Sequence, residues 1–161
     1  MKKRILSVLT MSSLVAALIA AVTVAPAAAQ AFNSIKVVVP FEFTSGSTVF
    51  PAGKYTIKPI TESRTVVVIE NEDGTTLGMI MCSSAQTLSP KDVTSLVFKR
   101  YADHYFLSQI WTAGETTGIE LPKSSMERKF QQAVQTGNRE SGIASGPVIV
   151  TIAAVTTTAH Q

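Results

Sequence analysis

The sequence predicts a mainly β protein: a single antiparallel meander of seven or eight strands, closed into a small barrel or folded into a sandwich, with one C-terminal amphipathic helix. Three observations predict it. Apolar residues alternate at period two over several short segments, turn residues rich in Gly, Asn, Asp and Pro punctuate those segments, and the period changes once to the helical one.

The first residues set the domain limits. Met1-Lys2-Lys3-Arg4 precedes an apolar run from Ile5 to Ala25 and then Pro26-Ala27-Ala28-Ala29-Gln30-Ala31, which is the n-region, h-region and small-residue cleavage site of a secretory signal peptide. The expectation is a cleavable signal over 1–31, with cleavage after Ala29 or Ala31, an exported product in the periplasm or medium, and no membrane span afterwards. An uncleaved anchor is the alternative that the length of the apolar run just allows. The remainder divides into a β domain with its helix, 32–137, and a linker and apolar tail, 138–161, in which a last strand is an open option.

Removing the signal changes the charge argument. The whole chain has a net charge of +3 and a pI near 9.1, but without Lys2, Lys3 and Arg4 its 14 basic residues fall to the number of its 11 acidic ones. A neutral domain in which Lys99-Arg100 and Arg128-Lys129 are only pairs does not suit nucleic acid, which requires clustered cations. Cys82 is the only cysteine, so no intramolecular disulfide can form. About 130 residues remain, enough to bury a core without metals or disulfides.

Ile35, Val37, Val39, Phe41 and Phe43 alternate with Lys36, Pro40 and Glu42, which predicts a half-buried strand with an edge or bulge at Pro40. Thr44-Ser45-Gly46-Ser47 is a turn cluster, Thr48 to Phe50 a short strand, and Pro51-Ala52-Gly53 a tight turn. Lys54 to Ile60 alternates again. Arg64 to Glu70 is rich in β-branched residues and reads as a more buried strand. Asn71-Glu72-Asp73-Gly74 then connects it to a partner, Thr75 to Ser83, as a hairpin. Ala85 to Thr94 reads as a surface loop around Pro90.

Ser95 to Arg100 and Tyr105 to Thr112 predict a second hairpin, turning at Ala102-Asp103-His104, with Leu96 and Phe98 facing Tyr105, Leu107 and Trp111. After Gly114 and Gly118 the spacing of Met126, Phe130, Ala133 and Val134 predicts a helix over about 124–136. Ser124 with Glu127 forms a capping box, and Gly137-Asn138 supplies a stop. Such a short helix is unstable alone, so its Met126, Phe130 and Val134 stripe is expected to cover part of the sheet.

No catalytic, cofactor-binding or metal-ligating residue is assigned. The two histidines are His104 and His160, with no metal spacing, and Asp103-His104 reads as a solvated hairpin tip before it reads as an acid–base pair. No nucleophile motif or glycine-rich phosphate loop occurs. Glu42, Glu70, Glu72, Asp73, Glu115 and Glu120 are scattered, so a carboxylate-dependent hydrolase stays a minor alternative. The one candidate surface is aromatic: Phe41, Phe43, Tyr55, Tyr101, Tyr105 and Trp111, which line a ligand surface if they do not simply form the core.

Val39-Pro40-Phe41-Glu42-Phe43 with Pro51-Ala52-Gly53-Lys54-Tyr55, the stretch Leu96 to Trp111, and Glu120-Leu121-Pro122-Lys123-Ser124 together resemble a family of small exported bacterial β-rich proteins of unknown function. The resemblance covers roughly residues 35–135. It implies export and the same domain limits, and it brings no catalytic residues; the apolar segment 147–155 departs from the polar ending such a family has.

The functional expectation is an exported, non-enzymatic protein that binds a partner or a small apolar ligand in the cell envelope. The alternative is a structural or adhesive envelope component. A cavity lined by Phe and Tyr favours a ligand, whereas a filled interior with an exposed apolar edge favours association.

Overall fold

Alternating side chains need two apolar faces to meet, and here two sheets supply them. The computed structural model describes residues 34–60, 63–141 and 146–157; the expected signal segment, 1–31, lies outside these, as does His160. The elements are β1 (Ser34–Val39), β2 (Phe43–Ser45), β3 (Thr48–Phe50), β4 (Gly53–Pro59), β5 (Val66–Asn71), β6 (Thr76–Met81), β7 (Ser83–Gln86), β8 (Ser95–Tyr101), β9 (His104–Trp111), β10 (Thr117–Glu120), α1 (Ser125–Ser141), β11 (Val148–Ala153) and β12 (Val155–Thr157).

The first sheet runs β12-β1-β4-β5-β6 and is antiparallel throughout. The second runs β11-β8-β9-β10-β7, with the β2–β3 hairpin joined to it where β2 pairs parallel with β9. Mainly β, with one helix among the described residues, the architecture is a sandwich and not a closed barrel.

Among the described residues twelve strands replace the expected seven or eight, in part because the chain changes sheet in mid-strand. At Cys82, between β6 and β7, it leaves the first sheet for the second, and at Ala154, between β11 and β12, it returns. The bends stay hydrogen-bonded: the Cys82 amide donates to the Thr65 carbonyl at 2.7 Å and the Ala154 amide to the Thr94 carbonyl at 2.8 Å. The segment 147–155 is therefore not a loose tail. β11 lies along β8 from Val148 opposite Arg100 to Ala153 opposite Ser95.

Both hairpins form where turn chemistry predicts them. Asn71 closes the first, its Oδ1 accepting from the Thr75 amide at 2.8 Å while Gly74 adopts φ +80°. The second turns between Tyr101 and His104, with Ala102 at φ +53°.

Two segments depart from expectation. Ala85, expected in a loop, is buried in β7, whose outward residues are polar because it is a sheet edge. Gly118, expected as a breaker, lies inside β10 because a Cβ there would come within 2.6 Å of the Trp111 ring and 2.8 Å of the Ile110 carbonyl oxygen. Only glycine admits that approach.

The interior between the sheets holds Ile35, Val37, Val39, Ile57, Val67, Ile69, Leu96, Leu107 and Ile110 around an aromatic centre. In that centre Phe43 stacks on Phe50 with centroids 5.0 Å apart, and Phe43 meets Tyr55 and Phe98 edge-on, both at 5.4 Å. The β2–β3 hairpin brings Phe43 and Phe50 inward, and Gly78 of β6 leaves the space that Phe50 fills.

A β-bulge in β9 decides which residues face out. Val97 pairs with Gln109 but Phe98 pairs with Leu107, so Ser108 is the extra residue and the alternation changes phase there. Leu107 and Ile110 both reach the core as a result, and Trp111 turns to the opposite face from the one its spacing predicts.

The outer face of β8 and β9 carries α1. Phe130 packs over His104 and Phe106, with ring centroids 4.4 and 6.0 Å away, and Tyr101 lies against Phe106. The Ser124 cap forms as the motif predicts, its Oγ accepting from the Glu127 amide at 2.9 Å. The buried face differs from the expected stripe: Glu127, Phe130, Gln131 and Val134 are covered or half-covered, whereas Met126 and Ala133 are exposed. The helix also runs past Gly137, since an internal glycine costs about 1 kcal/mol and does not forbid continuation as proline does.

Candidate functional site

The six aromatic residues singled out by spacing do not form one surface. Phe43 and Tyr55 lie in the core, with the Tyr55 hydroxyl donating to the Pro51 carbonyl and its phenol pushed up by burial. Tyr101 is buried on the outer face of β8, and its phenol is likewise raised, first by burial and then by the Glu127 carboxylate. Trp111 packs over Gly118 under Lys91, whose Nζ stands 5.0 Å from the ring centroid, and its indole N–H donates to Gln109 at 3.2 Å.

Phe41 and Tyr105 alone of the six are only half-buried. Their rings stack at 3.8 Å, with Arg100 6.0 Å from the Tyr105 centroid and Phe98 beneath Phe41. This pair packs against the core cluster from its margin.

Three of the six scattered carboxylates sit in cross-strand or cross-loop ion pairs. Lys58 holds Glu70 at 2.6 Å, Lys54 holds Glu72 at 2.7 Å, and Arg64 holds Glu115. Among the described residues no three His, Cys, Asp or Glu side chains gather as a metal would need. His104, expected in a solvated turn, stands exposed at the start of β9 and covers Phe130.

A surface that spacing did not single out is the outer face of the first sheet along β5 and β6. Register places Val68 opposite Met79 and Val66 opposite Met81, and the Ile60 amide, donating to the Val66 carbonyl at 3.0 Å, extends that row. Ile60, Met79 and Met81 are exposed, the two methionines by 65% and 77%. Val68 is buried among them. The Lys58–Glu70 and Lys54–Glu72 pairs border this apolar face on the β4 side.

β6 is also the edge of its sheet: among the described residues nothing pairs with its outer side. Between Thr75 and Ser84 there is neither a charged residue nor a proline, the usual guards of an exposed edge. The sequence signal was present in the run Leu77 to Cys82, but a hairpin partner strand with one face inward reads the same way.

Cys82, at the end of this strand, is half-buried, and its thiol is pushed up to about 11 by burial. Its Sγ lies 3.3 Å from the Ile80 carbonyl oxygen. A groove of about 410 Å³ lies on the same outer face towards the β12 edge, where Lys36, Val38, Lys54 and Thr56 meet Ala153 to Val155.

No helix among the described residues is long and apolar enough to cross a membrane. Compared with known proteins, the chain matches no family model, no curated sequence and no solved structure.

Proposed function

We propose that this chain is an exported, non-enzymatic protein that acts in the cell envelope by association with another protein, through the apolar face and open edge formed by β5 and β6. The basic, apolar and small-residue order of 1–31 supports export. Its resemblance to small exported bacterial proteins is in keeping with that.

One observation carries association over ligand capture: the large aromatic residues are used in packing. Phe43, Phe50 and Phe98 are each at most 1% exposed and belong to the core cluster, so the core between the sheets is occupied by the protein's own rings. An apolar ligand needs that space empty. Meanwhile the β6 edge offers unpaired main chain flanked by Met79 and Met81, which suits the addition of a strand from a partner.

The test is photo-crosslinking in the exporting cell, with the reactive side chain placed at position 79 and, for comparison, at position 132 on the exposed side of α1. A discrete adduct at 79 and none at 132 supports association at this face. Equal labelling at both positions contradicts it.

A further inference from the structure

Methionine thioethers are oxidised where they are reached, and this chain places two of them side by side in the open. Met79 and Met81 are two residues apart on one strand, so they project from the same face, and Val68 and Val66 stand opposite them. Neither belongs to the core. Met126, the remaining described methionine, is less exposed, at 45%.

The nearby competitor is silent. A free thiol normally reacts with peroxide as the thiolate, but a thiol pushed up to about 11 is thiolate in only about one molecule in 10,000 at pH 7. Cys82 is also half-buried.

We propose that Met79 and Met81 form an oxidant-responsive modification site, in which each thioether accepts one oxygen atom from a hydroperoxide and the sulfoxides turn the apolar β5–β6 face polar. In each step a sulfur lone pair forms the S–O bond as the peroxide O–O bond breaks. Sulfur is oxidised by two electrons, and the hydroperoxide, taking its proton back on the departing oxygen, is reduced to an alcohol or to water. The product is a polar, chiral side chain. Because both side chains stand off the sandwich, the fold has no need to open. The site rests on exposure and register and does not require that a partner bind there.

The experiment treats the folded protein with hydrogen peroxide and follows each methionine by peptide mass mapping, alongside far-UV circular dichroism and retention on a hydrophobic-interaction column. The expected result is oxygen uptake at Met79 and Met81 several-fold faster than at Met126, with Cys82 still alkylatable, the spectrum unchanged and retention shortened. In the variant Met79→Leu with Met81→Leu, peroxide is expected to leave retention unchanged. Oxidation of Met126 at an equal rate, prior loss of Cys82, or equal shortening in the leucine variant overturns the proposal.

Discussion

Arg64 and Glu115 tie the two sheets together by a two-pronged ion pair, Arg64 Nη2 donating to Glu115 Oε1 at 2.9 Å while Nη1 donates to Oε2. Arg64 precedes β5 in the first sheet and Glu115 lies between β9 and β10 in the second. The fork holds Arg64 at φ +53°, in the left-handed region that a residue with a Cβ enters at a cost. The Glu115 hydrogen bond, in turn, raises the guanidinium above its ordinary range.

Losing this clamp is expected to lower stability modestly. The two side chains are 40% and 31% exposed, so solvent screening limits Glu115→Ala to about 1 kcal/mol. Arg64→Gly loses the same pair but relieves the left-handed backbone, so in thermal unfolding it is expected to melt above Arg64→Ala.

Gly118 is expected to tolerate no side chain. Gly118→Ala drives a methyl group into Trp111 and the Ile110 carbonyl, an overpacking worth about 1–3 kcal/mol. Denaturant unfolding followed by the fluorescence of the single tryptophan measures both the loss and the displaced ring.

The carboxyl of Glu127 makes the stability depend on pH. It is 3% exposed, Oε1 has no hydrogen-bond partner, and burial raises it above its ordinary 4.5 despite Lys99, Lys123 and Arg128 nearby. The folded chain thus keeps a proton that the unfolded chain has released. This contribution is full below about pH 4.5 and is lost as pH rises through the raised value. Glu127→Gln retains a capping side chain and is expected to flatten that part of the stability profile in denaturant titrations.

The aromatic interior is expected to respond unequally to truncation. Phe43→Ala removes a ring packed against Phe50, Tyr55 and Phe98 and is expected to cost about 3–5 kcal/mol. Phe41→Ala, at a half-buried position, is expected to cost clearly less in the same unfolding measurement.

Local signals were legible and long-range ones were not. Alternation along Ile35 to Val39, the Asn71 to Gly74 turn and the Ser124–Glu127 cap each depend on neighbours a few residues away, and all three appear. The parallel pairing of Phe43 with Tyr105 joins residues distant in sequence, which no local period encodes. Nor does spacing mark Ser108 as a bulge residue, so period two puts Trp111 on the wrong face. Cys82 and Ala154 look like ordinary strand residues although the chain changes sheet at each. The aromatic set reads as a candidate surface for the same reason: period two separates faces but does not say which face the second sheet covers.

The most direct test of the account is native mass spectrometry of the protein recovered from the envelope of its own host, with the variant Met79→Lys, Met81→Lys run beside it. The account predicts a chain cleaved after Ala29 or Ala31, held with a second polypeptide, carrying no small molecule, and released as a monomer by the lysine variant. An unassociated monomer from the unaltered chain, or one retaining an apolar ligand, contradicts it.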